Sequence, residues 1–584
     1  MNLDRIKKII KEKIKYYFFS DFIKDYFKRK TFHSNPQANW IGEILKDEVS
    51  KKDKSFFEKS SLDSRILTVN GITKTVGIIK EYAKIDISEI DTTKEKIQFS
   101  IYAKFWEKNS TLKIVMNNEE YEFKNVKNID NPIFTDEIWF DLSLKIKQEI
   151  KFLEIFCKNE KIYFAKPITF NTKLNSSFSK SVQPNHIIIL VLDGVVAEFL
   201  TDKNSNFCDN KNISPNINNF FKDCFSTKFA FSTCEWTLPG ISSFFSGMYT
   251  SEHKLSKPQN YNYYNSELPS LPEILNENGY KTQLFSTGNR TTPLFGFQRG
   301  FERTFFSHPY GITKSKFNTN DWINNLIDFL NIYKNDKTFS YLHFPNTHQD
   351  WMVPKFNNYS FTLLRNDLLG LDLNKIEEKD AINIEKLRIY ELDLFLDSLF
   401  NFINKNISEN TTVILTGDHG SPFVKKYTKK AELRKIDDET PTLNFRRTNV
   451  PFFCRSPKYK QKNDNYKNQL VSSNIDLSKT ILDICEIENS KFKNSVSIFD
   501  ENKRKHLISE SIYKNLLEIA VIKNDHSYFE RYEFDHRNFL VKNNIAKKMF
   551  YLTKNNNDKN LINDLDTKEY ELIAKNHIKS NFNI

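Results

Sequence analysis

The stretch His186-Ile-Ile-Ile-Leu-Val-Leu-Asp193 decides the fold class of this chain of 584 residues. Its isoleucine, leucine and valine residues run without a polar interruption up to an Asp-Gly pair. Unbroken apolar strands belong to parallel sheets that helices cover on both faces. Similar runs recur over 281–286, 338–344 and 411–416. The sequence therefore predicts a buried parallel sheet.

Helical patterns lie between these strands, over 268–278, 321–333 and 384–403. Strands that alternate with helices are typical of a doubly wound α/β sheet. We therefore predict an α/β fold with a doubly wound, mostly parallel sheet in a catalytic domain over 176–584. Ligands of such sheets bind beyond the carboxyl ends of the strands, so the functional residues should follow the strands.

In the part of the chain that precedes His186, apolar residues recur with a period of two. Short runs there alternate apolar with polar residues, over 65–69, 96–103, 111–116, 120–123 and 161–166. Such runs are typical of half-buried antiparallel strands. We predict a small antiparallel β-domain, a sandwich over 35–175, with a linker at 171–184. This β-domain would either bind sugar or brace the catalytic domain.

Residues 1–34 predict a basic amphipathic helix. Ile6, Ile10, Ile14 and Phe18 recur at helical spacing among lysines and arginines. Such a helix can lie on an anionic membrane surface, or it can pack on the main domain with its charged face in water.

The formal net charge is +12, from 86 Lys and Arg against 74 Asp and Glu. A basic chain favours an acidic partner such as a phosphorylated substrate or a lipid head group. We predict no nucleic-acid partner, because basic and acidic residues are interleaved and no zinc-finger spacing or basic tail occurs. Scattered cysteines without a CxxC pair suit a reducing compartment, and no run approaches the roughly 20 apolar residues of a membrane span. We expect a cytoplasmic protein, or one at the inner face of the membrane.

The polar residues that follow the predicted strands form a candidate site. Asp193 closes the first strand, Arg290 follows the second, and His348 follows the third. Asp418 and His419 close the fourth strand. If these strands are parallel neighbours, their side chains share one rim of the sheet. Carboxylates and imidazoles suit zinc or manganese, and we predict one divalent ion, with a second ion left open.

The segment Trp236-Thr-Leu-Pro-Gly-Ile-Ser-Ser-Phe-Phe-Ser-Gly247 predicts the start of a helix. Thr237 is either its N-cap or a hydroxyl that meets an anion at the positive end of the helix dipole. In the second interpretation the Thr237 hydroxyl joins the metal site.

Three other ionisable residues are expected to be structural. His343 lies within the third strand and should be packed or hydrogen-bonded. Asp393 and Asp397 are four residues apart and should form one exposed edge of a helix.

Residues 186–555 resemble the alkaline phosphatase superfamily, and within it the sulfatase-like branch. The motifs that carry the resemblance occur in the family's order: the strand ending in Asp193, Phe244-Phe-Ser-Gly, Gly279-Tyr-Lys-Thr with Gly300-Phe-Glu, Thr347-His, Thr416-Gly-Asp-His-Gly, Asn449-Val-Pro-Phe-Phe, Asn474-Ile-Asp-Leu-Ser and Phe550-Tyr-Leu-Thr. The resemblance implies the sulfatase-like α/β fold and metal-dependent chemistry on an ester.

The nucleophile segment departs from the sulfatase pattern. Thr237 stands where sulfatases carry a Cys or Ser that becomes formylglycine, and Ile241 replaces the arginine two residues beyond Pro239. A threonine cannot become formylglycine. A threonine nucleophile is instead similar to the phosphoethanolamine and phosphoglycerol transferases of the superfamily, which act through a phospho-threonine.

These comparisons suggest a role for each candidate residue. Thr237 would be the nucleophile and a metal ligand, beside the ligands Asp193, Asp418 and His419. His348 would contact substrate or donate a proton. Arg290 would be a cation for the phosphoryl group.

The leading function is a metal-dependent transferase that moves a substituted phosphoryl group, such as phosphoethanolamine, phosphoglycerol or a phosphoramidate. The donor would be a small molecule or lipid, and the acceptor a cell-surface polysaccharide, glycolipid or precursor. One alternative is a sulfatase-like hydrolase of phosphate or sulfate esters. Another is an inactive glycan-binding protein that retains the fold.

Overall fold

The structure of the protein is a computed structural model. It describes residues 41–44, 51–69, 72–103, 111–124, 139–158, 161–170, 186–201, 213–256, 264, 267–287, 291, 295–307, 319–348, 378–421, 442–458, 469–488, 491–501, 503–513, 515–535, 538–552, 561–562 and 565–584. The helix predicted over 1–34, the linker at 171–184 and Arg290 lie outside the described residues.

The strands of the N-terminal half are β1 (Ile41–Ile44), β2 (Asp63–Val69), β3 (Ile72–Ile79), β4 (Tyr82–Asp86), β5 (Lys96–Ala103), β6 (Thr111–Met116), β7 (Glu119–Lys124), β8 (Phe140–Lys145), β9 (Phe152–Lys158), β10 (Ile162–Ala165), β11 (Ile168–Phe170), β12 (His186–Leu192), β13 (Phe225–Ser226), β14 (Ala230–Phe231) and β15 (Lys281–Thr287). The later strands are β16 (Arg303–Ser307), β17 (Thr338–Phe344), β18 (Thr411–Gly417), β19 (Phe452–Arg455), β20 (Val471–Ser472), β21 (Leu507–Tyr513), β22 (Leu516–Lys523), β23 (His526–Asp535) and β24 (Leu540–Tyr551).

The α-helices are α1 (Lys51–Lys59), α2 (Glu198–Thr201), α3 (Pro215–Phe220), α4 (Thr237–Ser246), α5 (Thr250–His253), α6 (Leu271–Glu277), α7 (Thr319–Ile332), α8 (Glu378–Asn406), α9 (Phe445–Thr448), α10 (Ile475–Ile484) and α11 (Lys568–Asn581). Short 3₁₀ turns cover Pro345–Thr347 and Ser408–Asn410. None of the helices in the described ranges has the length and apolar composition needed to cross a bilayer.

The central sheet contains the parallel core that the sequence predicts. Strands β16, β15, β17, β12 and β18 lie side by side in this order and run parallel. β12 is the middle of this group, because β17 pairs on one side of it and β18 on the other. All seven residues of β12 are buried, as an unbroken apolar strand requires.

Helices cover both faces of this sheet, which confirms the doubly wound fold. Alternate residues of β12 point to opposite faces, with Ile187, Ile189 and Val191 in one core and Ile188, Leu190 and Leu192 in the other. The first core also holds apolar side chains of α4, α6 and α10. The second holds those of α3, α7 and α8.

The N-terminal strands form a sandwich, as the alternating runs predict. One layer is the antiparallel sheet β4-β9-β6-β7, and the other contains β11, β5, β10 and β3. A shared core fills the space between the layers, with Phe99, Ile114 and Phe164 fully buried. The second layer also joins the central sheet, because β3 pairs antiparallel with β16 through Thr73 and Thr304.

A C-terminal antiparallel sheet, β21-β22-β23-β24, is an element that the sequence patterns did not predict. Helix α11 packs on this sheet through Tyr570, Ala574 and Ile578. Glu510 of β21 accepts hydrogen bonds from the backbone N–H (2.7 Å) and hydroxyl (2.6 Å) of Ser251 in α5, and lies 2.5 Å from His577 Nε2. The C-terminal region is thereby fixed to the helix that follows α4.

The expectation of an exposed edge at Asp393 is wrong. Asp393 is fully buried in α8, and its carboxylate accepts the backbone N–H groups of Asn216 (3.1 Å) and Ile217 (2.7 Å) at the start of α3. The helix period of α8 places Asp393 toward α3, where it satisfies N–H groups that have no partner within their own helix. Asp397 is half-buried.

Replacing Asp393 by alanine should therefore destabilise the protein. The buried N–H groups of Asn216 and Ile217 would lose a charged acceptor, so we expect a loss of about 2 to 3 kcal/mol in the free energy of unfolding. Asp397→Ala, one turn further along α8, is the matched control and should change stability by less than about 0.5 kcal/mol. Equal denaturation midpoints for the two variants would contradict the capping role.

Candidate active site

The register of the parallel strands brings the predicted residues together. Leu192, the last residue of β12, pairs with Phe344 of β17 on one side and with Gly417 of β18 on the other. Asp193 and Asp418 each follow directly, so their carboxylates emerge at the same level of the same sheet edge. The prediction that these strands are parallel neighbours is therefore confirmed.

The turn after β12 orients the carboxylate of Asp418. Gly194 has φ +70°, a left-handed conformation that favours glycine. In this conformation its N–H donates to Asp418 Oδ1 at 3.1 Å. The N–H of His419 donates to the same oxygen at 2.9 Å. Two backbone donors thus fix one oxygen of Asp418, and its Oδ2 is left to face the site.

Thr237 presents its hydroxyl to this edge. Helix α4 begins at Thr237, and the N-cap position belongs to Trp236, so the N-cap interpretation of Thr237 is wrong. Its Oγ1 lies 3.5 Å from Asp193 Oδ1 and 3.3 Å from His419 Nε2. A hydroxyl in the first turn of a buried helix lies where the dipole favours negative charge, as the second interpretation required.

His419 has the tautomer of a metal ligand. Its Nδ1 lies 2.7 Å from the carbonyl oxygen of Gly420, which can only accept, so Nδ1 carries the proton. In the neutral ring Nε2 then carries the lone pair and faces the carboxylates, 3.4 Å from Asp193 Oδ1 and 3.6 Å from Asp418 Oδ2. A metal-binding histidine typically donates its other N–H to a carbonyl in this way.

Strand β17 and the turn after it contribute two further histidines. His348, which ends the 3₁₀ turn after this strand, is partly buried, and its ligating atom lies within 4.8 Å of those of Asp193 and His419. His343 lies inside the strand and is fully buried. Its Nε2 is 3.3 Å from Asp418 Oδ2 and 3.8 Å from Asp193 Oδ2. The expectation that His343 is hydrogen-bonded is confirmed, but the bond is to the candidate site itself.

Several supporting residues were missed in the sequence. Ser232 Oγ and Asn474 Nδ2 donate to the carbonyl of Asp418, at 2.6 and 3.3 Å. Thr347 Oγ1 donates to the carbonyl of Asp193 at 2.7 Å. Serine, threonine and asparagine are common in turns, so no local pattern identifies them. Among the motifs of the family resemblance, only those that contain Asn474 and Thr347 include any of these supporting residues.

The charges of the site are strongly coupled. Burial alone would raise the pKa of Asp193, but the imidazoles of His348 and His343 hold it well below its usual range. Burial would lower the pKa of His419, but Asp418 and Asp193 together raise it to about 9. Burial would likewise lower the pKa of His343, but the same two carboxylates raise it. Buried carboxylates at this edge therefore require positive charge beside them.

This donor set fits a divalent cation. Asp193 and Asp418 are buried, and in the described part of the chain their ion pairs are made with histidines. Two carboxylates, the Nε2 of His419 and the Thr237 hydroxyl point toward one another, and oxygen with imidazole nitrogen is the ligand set that suits zinc or manganese. The four residues predicted as ligands are thus brought together; their ligand role stays a prediction.

The sequence profile of the sulfatase family matches residues 186–487, which is just over half of the chain and includes every site residue described above. The chain belongs to the sulfatase family. It is therefore an enzyme of the alkaline phosphatase superfamily, as the motifs implied. No curated protein matches the sequence.

Solved sulfatases share the fold. A candidate sulfatase from Bacteroides thetaiotaomicron is 16% identical, with 68% of this chain and 93% of that chain covered and a TM-score of 0.51. A 2-O GAG sulfatase is also 16% identical, with 68% and 92% covered and a TM-score of 0.51. A phosphonate monoester hydrolase from Silicibacter pomeroyi is 14% identical, with 69% and 96% covered and a TM-score of 0.49.

We expect metal affinity to rise with pH. A metal ion needs neutral His419, whose pKa is raised to about 9 in the metal-free site, so protons compete with the ion below that pH. The affinity for Mn²⁺ should rise about tenfold per pH unit between pH 6.5 and 9 and then level off. Titration calorimetry across this range measures the slope.

In the metal-free protein the stability of the fold depends on pH in the opposite direction. Because the pKa of His419 is raised in the folded state, its protonation stabilises the fold below pH 6.5, and this stabilisation is lost as the pH rises to 9. Thermal unfolding of the metal-free protein should shift accordingly, and His419→Gln should abolish both trends. A pH-independent Mn²⁺ affinity in the unsubstituted protein would contradict the assignment of His419.

Proposed function

We propose that this enzyme transfers a substituted phosphoryl group by way of a covalent phospho-threonine at Thr237. The observation that carries the proposal is the position of Thr237 Oγ1, 3.3 Å from His419 Nε2 and 3.5 Å from Asp193 Oδ1, at the first turn of α4. A threonine hydroxyl is a weak nucleophile unless a base, a cation or both activate it. The predicted metal ligands surround this hydroxyl.

In the first step the proton of Thr237 Oγ1 passes to solvent and Oγ1 attacks phosphorus, while the bond from phosphorus to the leaving oxygen of the donor breaks. A divalent ion held by Asp193, Asp418 and His419 would stabilise the threonine alkoxide and neutralise the phosphoryl oxygens. Partly buried His348, at the same sheet edge, donates a proton to the leaving oxygen. In the second step an acceptor hydroxyl attacks phosphorus and gives its proton to His348, while the bond from phosphorus to Thr237 Oγ1 breaks. Oγ1 then takes up a proton from solvent, which regenerates Thr237.

The donor that we propose carries phosphoethanolamine, phosphoglycerol or a phosphoramidate, and the acceptor is a cell-surface glycan or its precursor. The support is the threonine in place of the formylglycine precursor, together with the net charge of +12. Arg290 stays a predicted contact of the phosphoryl group. The cytoplasmic location, with peripheral membrane contact, also stays a prediction from the sequence.

A second candidate function is hydrolysis, in which water resolves the phospho-threonine. Membership of the sulfatase family favours it. Phosphate mono- or diesters would then be the substrates, since Thr237 cannot supply the formylglycine with which sulfatases of this family cleave sulfate esters. The two candidates share the first step and differ only in the acceptor.

Removing the Thr237 hydroxyl should abolish catalysis. Thr237→Ala should lower phosphodiester turnover at least about a thousandfold with little change in stability, because the lost atoms include the nucleophile. Thr237→Ser keeps the hydroxyl and should retain measurable turnover. Intact-protein mass after incubation with Mn²⁺ and donor should show an adduct on Thr237 that is absent from the alanine variant. Turnover by Thr237→Ala comparable to that of the unsubstituted enzyme would contradict the proposal.

The lifetime of the adduct should separate transfer from hydrolysis. A transferase excludes water from the second step, so the phospho-threonine should persist without acceptor and disappear when a glycan acceptor is added. Quenched mass measurements over time, with and without acceptor, give both rates. Decay that is fast and independent of acceptor would identify the hydrolase, and turnover of sulfate esters without an adduct would exclude both.

A further inference from the structure

His343 touches both carboxylates of the site from inside the protein. It is fully buried in β17, and its Nε2 lies 3.3 Å from Asp418 Oδ2 and 3.8 Å from Asp193 Oδ2. The first core, which also holds α4, lies on the same face of the sheet as His343, because His343 is two residues beyond Tyr341, a member of that core. A second buried imidazole, besides that of His419, therefore lies behind the two predicted acidic ligands.

The oxygens of the two carboxylates are divided among different partners. Asp193 Oδ1 faces Thr237 and His419, whereas its Oδ2 faces His343. Asp418 Oδ1 accepts two backbone N–H groups, whereas its Oδ2 faces His343 and His419. His343 thus contacts the one oxygen of each carboxylate that backbone donors and Thr237 do not contact. It is hydrogen-bonded to Asp418 Oδ2 and lies beside Asp193 Oδ2.

The second ring nitrogen decides what His343 can do. The Nδ1 atom of His343 is buried, and no hydrogen-bond partner for it lies among the described residues. If Nε2 coordinated a metal ion, Nδ1 would have to carry the proton and would become a buried donor without an acceptor. His419 is the opposite case, since its Nδ1 donates to the carbonyl of Gly420 and frees Nε2 for a metal ion.

We propose that His343 is a positioning residue of the metal centre and not one of its ligands. Its Nε2–H donates to Asp418 Oδ2 at 3.3 Å and fixes the side-chain angles of that carboxylate, and the imidazole attracts Asp193 Oδ2 at 3.8 Å. Two carboxylates at neighbouring strand ends repel each other, and the imidazole beside both of them offsets this repulsion before an ion binds. The inference rests on the metal site of the proposed function and adds a role that the reaction steps do not use.

Two substitutions separate a donor from a ligand. His343→Gln keeps an amide N–H near the place of Nε2 but removes the imidazole, whereas His343→Leu removes donor and ligand together. The matched control is His186→Gln. His186 is equally buried at the start of β12, at the opposite end of the sheet, with Nδ1 2.8 Å from Thr338 Oγ1 and Nε2 3.2 Å from the carbonyl of Lys334.

The measurements are Mn²⁺ affinity by titration calorimetry and the number of coordinated imidazole nitrogens by pulsed electron paramagnetic resonance of the Mn²⁺-loaded full-length protein. We expect His343→Leu to weaken Mn²⁺ binding about 10- to 100-fold. His343→Gln should bind within about threefold of the unsubstituted protein, a recovery that a donor role requires. His186→Gln should match the unsubstituted protein, and all variants should show the same number of nitrogen couplings.

Three results would overturn the inference. Equal loss of affinity in both His343 variants, with one nitrogen coupling fewer, would make His343 a ligand. If the unsubstituted protein binds Mn²⁺ tightly and His343→Leu binds it equally well, His343 does not position the metal ligands, and the proposed function remains intact. No Mn²⁺ binding by the unsubstituted protein would instead refute the metal site itself, and the inference with it.

Discussion

The arrangement of this enzyme depends on two carboxylates, Asp193 and Asp418, that are buried side by side at neighbouring strand ends. Removing two like charges from water is costly unless donors and positive charge surround them. The protein supplies backbone N–H groups of the turns that follow β12 and β18, and imidazoles from His343 and His419. A divalent cation would supply the remaining positive charge that the two carboxylates need. The register of the parallel strands brings all of these groups to one point.

Helix α4, which carries the proposed nucleophile Thr237, is held in place by contacts to Asp418, a predicted metal ligand. The carbonyl of Asp418 accepts from Ser232 and Asn474, and the amide of Asn474 also donates to the carbonyl of Gly240 in α4 at 3.1 Å. A Cβ atom at Gly240 would lie 2.9 Å from the carbonyl oxygen of Asp418, so glycine allows α4 to approach the end of β18 closely. The position of Thr237 relative to its proposed metal ligands is therefore set by buried side-chain hydrogen bonds to main-chain carbonyls and by the close approach of the two backbones at Gly240.

The regions outside the parallel core also act on this geometry. The sandwich is joined to the central sheet through β3 and β16, so its position follows from backbone hydrogen bonds. At the other end of the chain, Glu510 connects His577 of α11 to Ser251 of α5, shortly after α4 ends at Ser246 and its C-cap Gly247 turns the chain. These contacts give the predicted reaction a rigid frame, which a covalent mechanism with a fixed nucleophile requires.

The sequence by itself determined the parallel strands, the sandwich and six candidate site residues. The structure brings five of these together, and the sixth, Arg290, lies outside the described residues. The sequence could determine them because strand and helix periods are local, and because residues that follow parallel strands must share one edge. Tertiary structure alone decided the role of Asp393, which depends on where α3 packs, and the C-terminal sheet, whose partners are set by long-range pairing. It also decided that His343 faces the carboxylates: a strand residue points to one face or the other, and only the pairing of β17 with β12 shows what lies there.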